Sequence, residues 1–183
     1  CALLVWGLSV GSADAFETKA KAAYIYDLST RTVLLNKNAD TPLPPASMSK
    51  LMTLYIAFEF IRAGQLNLEE KLPVSAHAES YGGSTMFLDT TDRVSVADLL
   101  RGIIVLSGND ACAVIAEALS PDGTEAGFAK LMTLRAQQFG MTNSTFQNSN
   151  GWPHPMHRMS MRDLGGGGRP RGGARGRSHG GRS

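Results

Sequence analysis

Cysteine is scarce in this chain. Its 183 residues hold two, Cys1 and Cys112. Cys1 lies in a segment read below as removable, which leaves Cys112 without a partner, so no disulfide is predicted. Metal ligands are scarce as well. His154-x-x-His157 has suggestive spacing, but Pro153 and Pro155 keep it out of a helix and no cysteine or close carboxylate joins it. Neither a metal site nor a cofactor is therefore expected. Acid is missing from the last stretch, where Arg169, Arg171, Arg175, Arg177 and Arg182 stand alone. They create the formal net charge of +2; without them thirteen basic residues face sixteen acidic ones. The body of the chain is mildly acidic and gives no reason to expect nucleic-acid binding.

The N-terminus lacks an initiator Met and a basic leading region. Ala2 to Val10 is mostly apolar but too short to span a bilayer. Ala13-x-Ala15 follows and fits a signal-peptidase site, so residues 1–15 read as a signal-peptide remnant and the mature chain would begin at Phe16. The other reading is a buried or disordered arm. If the signal reading holds, the protein works outside the cytoplasmic membrane.

The length suits one domain with a substantial core. Residues 22–28 and 32–35 are β-rich runs separated by Ser29-Thr30-Arg31, which predicts a hairpin. A polar, Pro-containing loop over 36–45 leads to Pro45-Ala46-Ser47-Met48-Ser49-Lys50. Leu51, Leu54, Tyr55, Phe58 and Ile61 then recur at helical spacing and predict one buried face, with Gly64 as the stop. Ser47 falls at the helix start and Lys50 three residues on, so both project from one face. Serine is a weak nucleophile until a base takes its proton, and a desolvated lysine can be that base. The free N–H groups of the helix start can help hold an oxyanion. The same residues also describe a capped helix with a solvated lysine.

Further along, residues 72–74 and 93–94 suggest short extended pieces around the loop Tyr81-Gly82-Gly83-Ser84. His77 reads as a surface or packed histidine. Ser95 and Asp98 predict a capped helix with Leu99, Leu100, Ile103 and Ile104 buried. It breaks at Ser107-Gly108-Asn109 and resumes through Ala111, Val114, Ile115 and Ala118. Ser-Gly-Asn there is either an ordinary helix–helix turn or a place where polar groups are needed. Cys112 reads as a small buried hydrophobe. A third helix is predicted over 124–139 with Gly140 as its stop, and Ser160 begins another. A hairpin with buried helices implies a mixed fold, a sheet packed on helices.

After Leu164 the chain turns to Gly, Arg, Ser, Pro, Ala and His, which cannot build a core. Residues 165–183 read either as a basic disordered tail for nucleic acid or anionic surfaces, or as a GC-rich coding region read in a shifted frame.

The ordered pair Ser47-x-x-Lys50 and Ser107-Gly108-Asn109, each in a helix context, resembles the low-molecular-mass penicillin-binding proteins, specifically the serine-type D-alanyl-D-alanine carboxypeptidases. The resemblance runs from about residue 22 to 164. It includes Asn38-Ala39-Asp40, Gly83-Ser84-Thr85-Met86-Phe87-Leu88, Leu99-Leu100-Arg101-Gly102, and His157, Ser160 and Asp163. It implies an α+β, β-lactamase/transpeptidase-like fold: a helical cluster with an incomplete antiparallel sheet, within a partial peptidase domain over 16–164. It also implies roles. Ser47 attacks the penultimate D-Ala carbonyl of a peptidoglycan pentapeptide and forms an acyl-enzyme. Lys50 is its base, Ser107 relays a proton to the leaving group, and Asn109 binds substrate and positions Lys50. β-Lactam antibiotics would acylate the same serine.

The family's third motif, Lys-Thr-Gly on a sheet strand, is absent from these 183 residues. So are the later strands, the C-terminal β domain and the amphipathic membrane anchor that the resemblance implies. The chain as it stands is therefore expected to be inactive or nearly so. Two other readings compete. A class A β-lactamase shares Ser-x-x-Lys but usually has Asp where Gly108 stands. A non-catalytic peptidoglycan-binding or penicillin-binding pseudoenzyme would keep the fold without the chemistry.

Overall fold

The computed structural model describes residues 18–166. The predicted signal segment 1–15 and all but the first two residues of the 165–183 tail lie outside the described residues.

Strands β1 (Ala23–Asp27) and β2 (Thr32–Lys37) form the predicted antiparallel hairpin. Asp27 closes its turn by accepting from the Ser29 amide and the Thr30 hydroxyl. A 3-10 turn, Ala46–Ser49, runs directly into α1 (Lys50–Arg62). Strands β3 (Lys71–Pro73) and β4 (Arg93–Ser95) pair antiparallel, with Leu72 opposite Val94. Between them lies the short α2 (Ala76–Glu79). The pieces read separately from the sequence are therefore partners in a second small sheet. Helices α3 (Val96–Leu106), α4 (Asn109–Leu119), α5 (Glu125–Gln138) and α6 (Met161–Leu164) complete the order. The serine caps hold: the Ser95 Oγ accepts from the Asp98 amide, and the Ser160 Oγ from the Asp163 amide.

Helix α4 is the centre of the core. Asn109 to Ala116 and Leu119 are all buried, and α1, α2, α3, α5 and β3 pack around it. A helix whose middle, Ala111 to Ala116, is apolar on every side belongs in the interior. Its alanines let neighbours approach closely, and Cys112 sits among them fully buried. Ala118, on the same helix, is exposed.

Two faces differ from the sequence prediction. On α1 the buried residues after Lys50 are Met52, Thr53, Ile56 and Ala57, whereas Leu51, Tyr55 and Phe58 are exposed and Leu54 and Ile61 only half-buried. Helix α1 is apolar on both sides, so periodicity does not say which side meets the core. The stripe with Thr53 and Ala57 faces inward, and Thr53 reaches Met132 of α5 and the Ser149 carbonyl. Leu51 and Tyr55 of the bulkier stripe instead border an open apolar groove of about 290 Å³ with Met52, Phe139, Met141, Met159 and Leu164. On α3, Ile104 is exposed, together with Val105 and Leu106, while Leu99, Leu100 and Ile103 enter the core.

Candidate active site

The site forms where three distant pieces meet: the 3-10 turn, the bend between α3 and α4, and the polar loop after α5. Ser47 lies exposed on the turn. Lys50, one turn later, is 4% exposed. Its Nζ donates to Ser47 Oγ at 3.0 Å, to Asn109 Oδ1 at 2.8 Å and to the Asn150 carbonyl at 2.9 Å. Three donors thus meet three acceptors, with no carboxylate among them. Burial pushes the Lys50 amine below the usual lysine range.

Asn109 is fixed from both ends. Its Nδ2 donates to the Gly82 carbonyl at 2.9 Å, and its backbone amide to the Ser84 carbonyl at 2.8 Å. These bonds bring the loop Tyr81-Gly82-Gly83-Ser84 against the site. The next residue, Asp110, grips the following stretch by accepting from the amides of Met86 and Leu88 and from that of Ala111. Phe87, held between the first two, takes a positive φ of 59° and is 90% exposed.

Ser107 occupies the left-handed cap of α3, φ 58° and ψ 38°, with its amide bonded to the Gly102 carbonyl. The three Lys50 bonds do not include it. The bend brings Asn109 to the Ser47–Lys50 pair and leaves Ser107 half-buried two residues away. All four sequence-derived residues therefore lie on converging elements, but only Ser47, Lys50 and Asn109 are joined by direct hydrogen bonds.

A supporting layer was not foreseen. Asn150 contributes a carbonyl, and its placement depends on Glu125, 6% exposed. Glu125 accepts from the Ser149 amide and hydroxyl, from the Tyr81 hydroxyl at 2.6 Å and from His77 Nε2 at 2.6 Å. Burial raises the Glu125 carboxyl, and the bonds from Ser149, Tyr81 and His77 outweigh it, so the group ends below its ordinary value. Thr53 donates to the Ser149 carbonyl at 2.6 Å and ties the same loop to α1. In sequence, Asn148 to Gly151 looks like any exposed polar turn. Asn148, Ser149 and Asn150 are buried, and no periodicity marks a buried loop.

His157 and His154 do not converge as a ligand pair. His157 bonds Ser49 and the Gln147 amide, and His154 Nδ1 accepts from the Met156 amide. Among the described residues no cluster of three or more His, Cys, Asp or Glu side chains could hold a metal ion.

The sequence matches the family described as D-alanyl-D-alanine carboxypeptidase, peptidase S11, over residues 9–166. It is 38% identical over 146 residues to the D-alanyl-D-alanine carboxypeptidase DacF of Bacillus subtilis, a match covering 80% of this chain and 37% of that protein. The fold superposes on the D-alanyl-D-alanine carboxypeptidase DacD of Francisella tularensis with a TM-score of 0.79 at 35% identity, covering 88% of this chain and 38% of the other. Penicillin-binding protein D2 of Listeria monocytogenes, solved in an ampicillin-bound form, gives a TM-score of 0.69 at 30% identity over 80% of this chain and 59% of the other. The chain spans less than two-fifths of the length of the curated relative. These likenesses give the architecture its type: an incomplete α+β domain of the penicillin-binding, transpeptidase-like fold.

Proposed function

The chain belongs to the D-alanyl-D-alanine carboxypeptidase family, and from that premise we propose that Ser47 is the nucleophile of a serine-type carboxypeptidase that removes the terminal D-Ala from peptidoglycan stem peptides. The observation that carries this reading is the 3.0 Å contact between the exposed Ser47 hydroxyl and the buried Lys50 amine.

Neutral Lys50 has two N–H bonds and one lone pair. The Asn109 and Asn150 oxygens engage the two N–H groups, and the lone pair is left facing the Ser47 hydroxyl. Ser47 Oγ attacks the penultimate D-Ala carbonyl carbon as its proton passes to Lys50 Nζ. The Ser47 amide, at the start of the turn, donates to the developing oxyanion. Collapse breaks the C–N bond, and the departing D-Ala amine takes a proton through Ser107. Water then cleaves the Ser47 ester and releases the shortened peptide. Asn109 holds Lys50 with its oxygen and turns the Gly82–Ser84 loop toward the substrate with its nitrogen. β-Lactam antibiotics present a strained amide to the same hydroxyl. The peptidase domain over 16–164 and action at the periplasmic or outer face of the cytoplasmic membrane are part of this proposal. Among the described residues, no helix is long and apolar enough to cross a membrane.

Fluorescent penicillin supplies the test. The 183-residue chain should take up label slowly at Ser47, and Ser47→Ala should take up none. Because the sequence holds no Lys-Thr-Gly, release of D-Ala from a pentapeptide should be at least about 10²-fold slower than by a full-length relative, the scale of losing one oxyanion donor. Fast penicillin turnover would favour a β-lactamase. A folded chain that never labels would favour a pseudoenzyme.

A further inference from the structure

Ser47 follows a strained residue. Ala46 has a φ of +48°, a left-handed conformation that costs a non-glycine residue free energy unless its surroundings enforce it. The enforcing groups are identifiable. The Ser49 hydroxyl, fully buried, lies 2.9 Å from the Ala46 carbonyl and 2.8 Å from His157 Nε2. His157 is 2% exposed, and its Nδ1 accepts from the Gln147 amide at 3.2 Å.

These contacts fix the direction of every proton. Nδ1 accepts, so a neutral ring carries its hydrogen on Nε2. Nε2–H then donates to Ser49 Oγ, and the Ser49 hydroxyl spends its one hydrogen on the Ala46 carbonyl. Beside that carbonyl, Gly151 leaves no room for a side chain: a Cβ there would stand 1.8 Å from the oxygen and 3.0 Å from Ser49 Oγ. Phe146 packs edge-on against the imidazole at 5.4 Å and limits its rotation.

We propose that His157 is a positioning residue for Ser47, acting through the Ser49 hydroxyl to hold the Ala46 carbonyl and so set the direction of the turn that carries the nucleophile. The inference rests on the reading of Ser47 as the nucleophile, but its geometry can be tested apart from that reading. The histidine touches neither Ser47 nor Lys50. Its contribution is to keep Ser47 Oγ within reach of the amine while the serine itself stays open to solvent. Burial lowers His157 to about 4, helped by His154 and Arg158 and opposed by Glu125, so the neutral tautomer persists across the working range.

Nitrogen-15 NMR on the full 183-residue chain tests the proposal. His157 should show the Nε2–H tautomer from pH 8 down to about 5. Ser49→Ala and His157→Phe should both erase the positive-φ signature in the Ala46 carbon shifts and slow penicillin labelling of Ser47 by at least about tenfold. His157→Gln, which can still donate to Ser49, should keep the Ala46 signature and restore most of the labelling rate. If His157→Phe does not fold, the much smaller Ser49→Ala change decides. An Nδ1–H tautomer, or an Ala46 signature untouched by Ser49→Ala, overturns the proposal. A wild-type chain that shows the expected tautomer and Ala46 response but never labels retains the positioning role and overturns the carboxypeptidase reading instead.

Discussion

Asn109 Oδ1 lies 2.8 Å from Lys50 Nζ although 59 positions separate the two residues. The contact joins the start of α4 to the first residue of α1, and it is made in the interior, where a missing partner is expensive. Asn109→Ala would strip Lys50 of one acceptor and the Gly82 carbonyl of its donor. Stability should fall by about 1–3 kcal/mol, and labelling of Ser47 should slow by more than that loss explains. Urea titration beside a labelling time course separates the two effects.

Lys50 should behave as a base, not merely as a charge. Lys50→Arg keeps a positive group that cannot lose its proton at ordinary pH, so it should abolish labelling as completely as Lys50→Ala. The neutral amine is the reactive form, so the wild-type labelling rate should rise with pH. Because burial lowers the Lys50 value, the rise should level off below the pH expected for a free lysine. A rate that falls across that interval contradicts the assignment.

Acid should weaken the fold through His157. Its folded value, about 4, lies below its ordinary value of 6.5, so between those two pH values the unfolded chain binds the extra proton. Stability is complete above about pH 6.5 and is lost as pH falls toward 4, by up to about 3 kcal/mol. Glu125, also held below its ordinary value, adds to the loss as pH falls through its folded value. Denaturant midpoints at pH 7.5, 5.5 and 4.5 should decline in that order, and His157→Phe should flatten the upper part of the decline.

Two glycines with similar φ should respond differently to alanine. Gly151 (φ +85°) abuts the Ala46 carbonyl, whereas Gly64 (φ +71°) has nothing within 4 Å of where a Cβ would go. Gly64→Ala should cost about 1–2 kcal/mol, the conformational penalty alone. Gly151→Ala should cost clearly more and should also slow labelling, because the carbonyl it displaces precedes Ser47. Thermal melts of the pair decide this.

The two faces of α1 can be told apart by substitution. Ile56, fully buried, should lose about 2–5 kcal/mol on truncation to alanine. Phe58→Ser, on the exposed side, should change stability by about 0.5 kcal/mol or less. Equal losses at both positions would show that the outer stripe is covered in solution.

Much of this protein could be read along the chain because the relevant signals are local. The hairpin, the capped helix starts at Ser95 and Ser160, the break at Ser107-Gly108-Asn109 and the one-turn spacing of Ser47 and Lys50 each depend on a few neighbouring residues. Backbone geometry turns such patterns into structure without reference to distant parts. The two ordered motifs also sufficed to suggest the family. Other features were settled only by packing. Apolar periodicity on α1 named a plausible face, but the helix is apolar on both sides, and packing against α3, α4 and α5 selected Met52, Thr53, Ile56 and Ala57. The same holds for Lys50, whose basicity is lowered by burial and whose amine is held by oxygens supplied by Asn109 and Asn150. The strained Ala46 and its support through Ser49 and His157, 108 positions apart, leave no mark on the sequence. Local pattern determined which residues could take part; desolvation and the meeting of remote segments decided which of them work together, because both arise only when the chain has closed on itself.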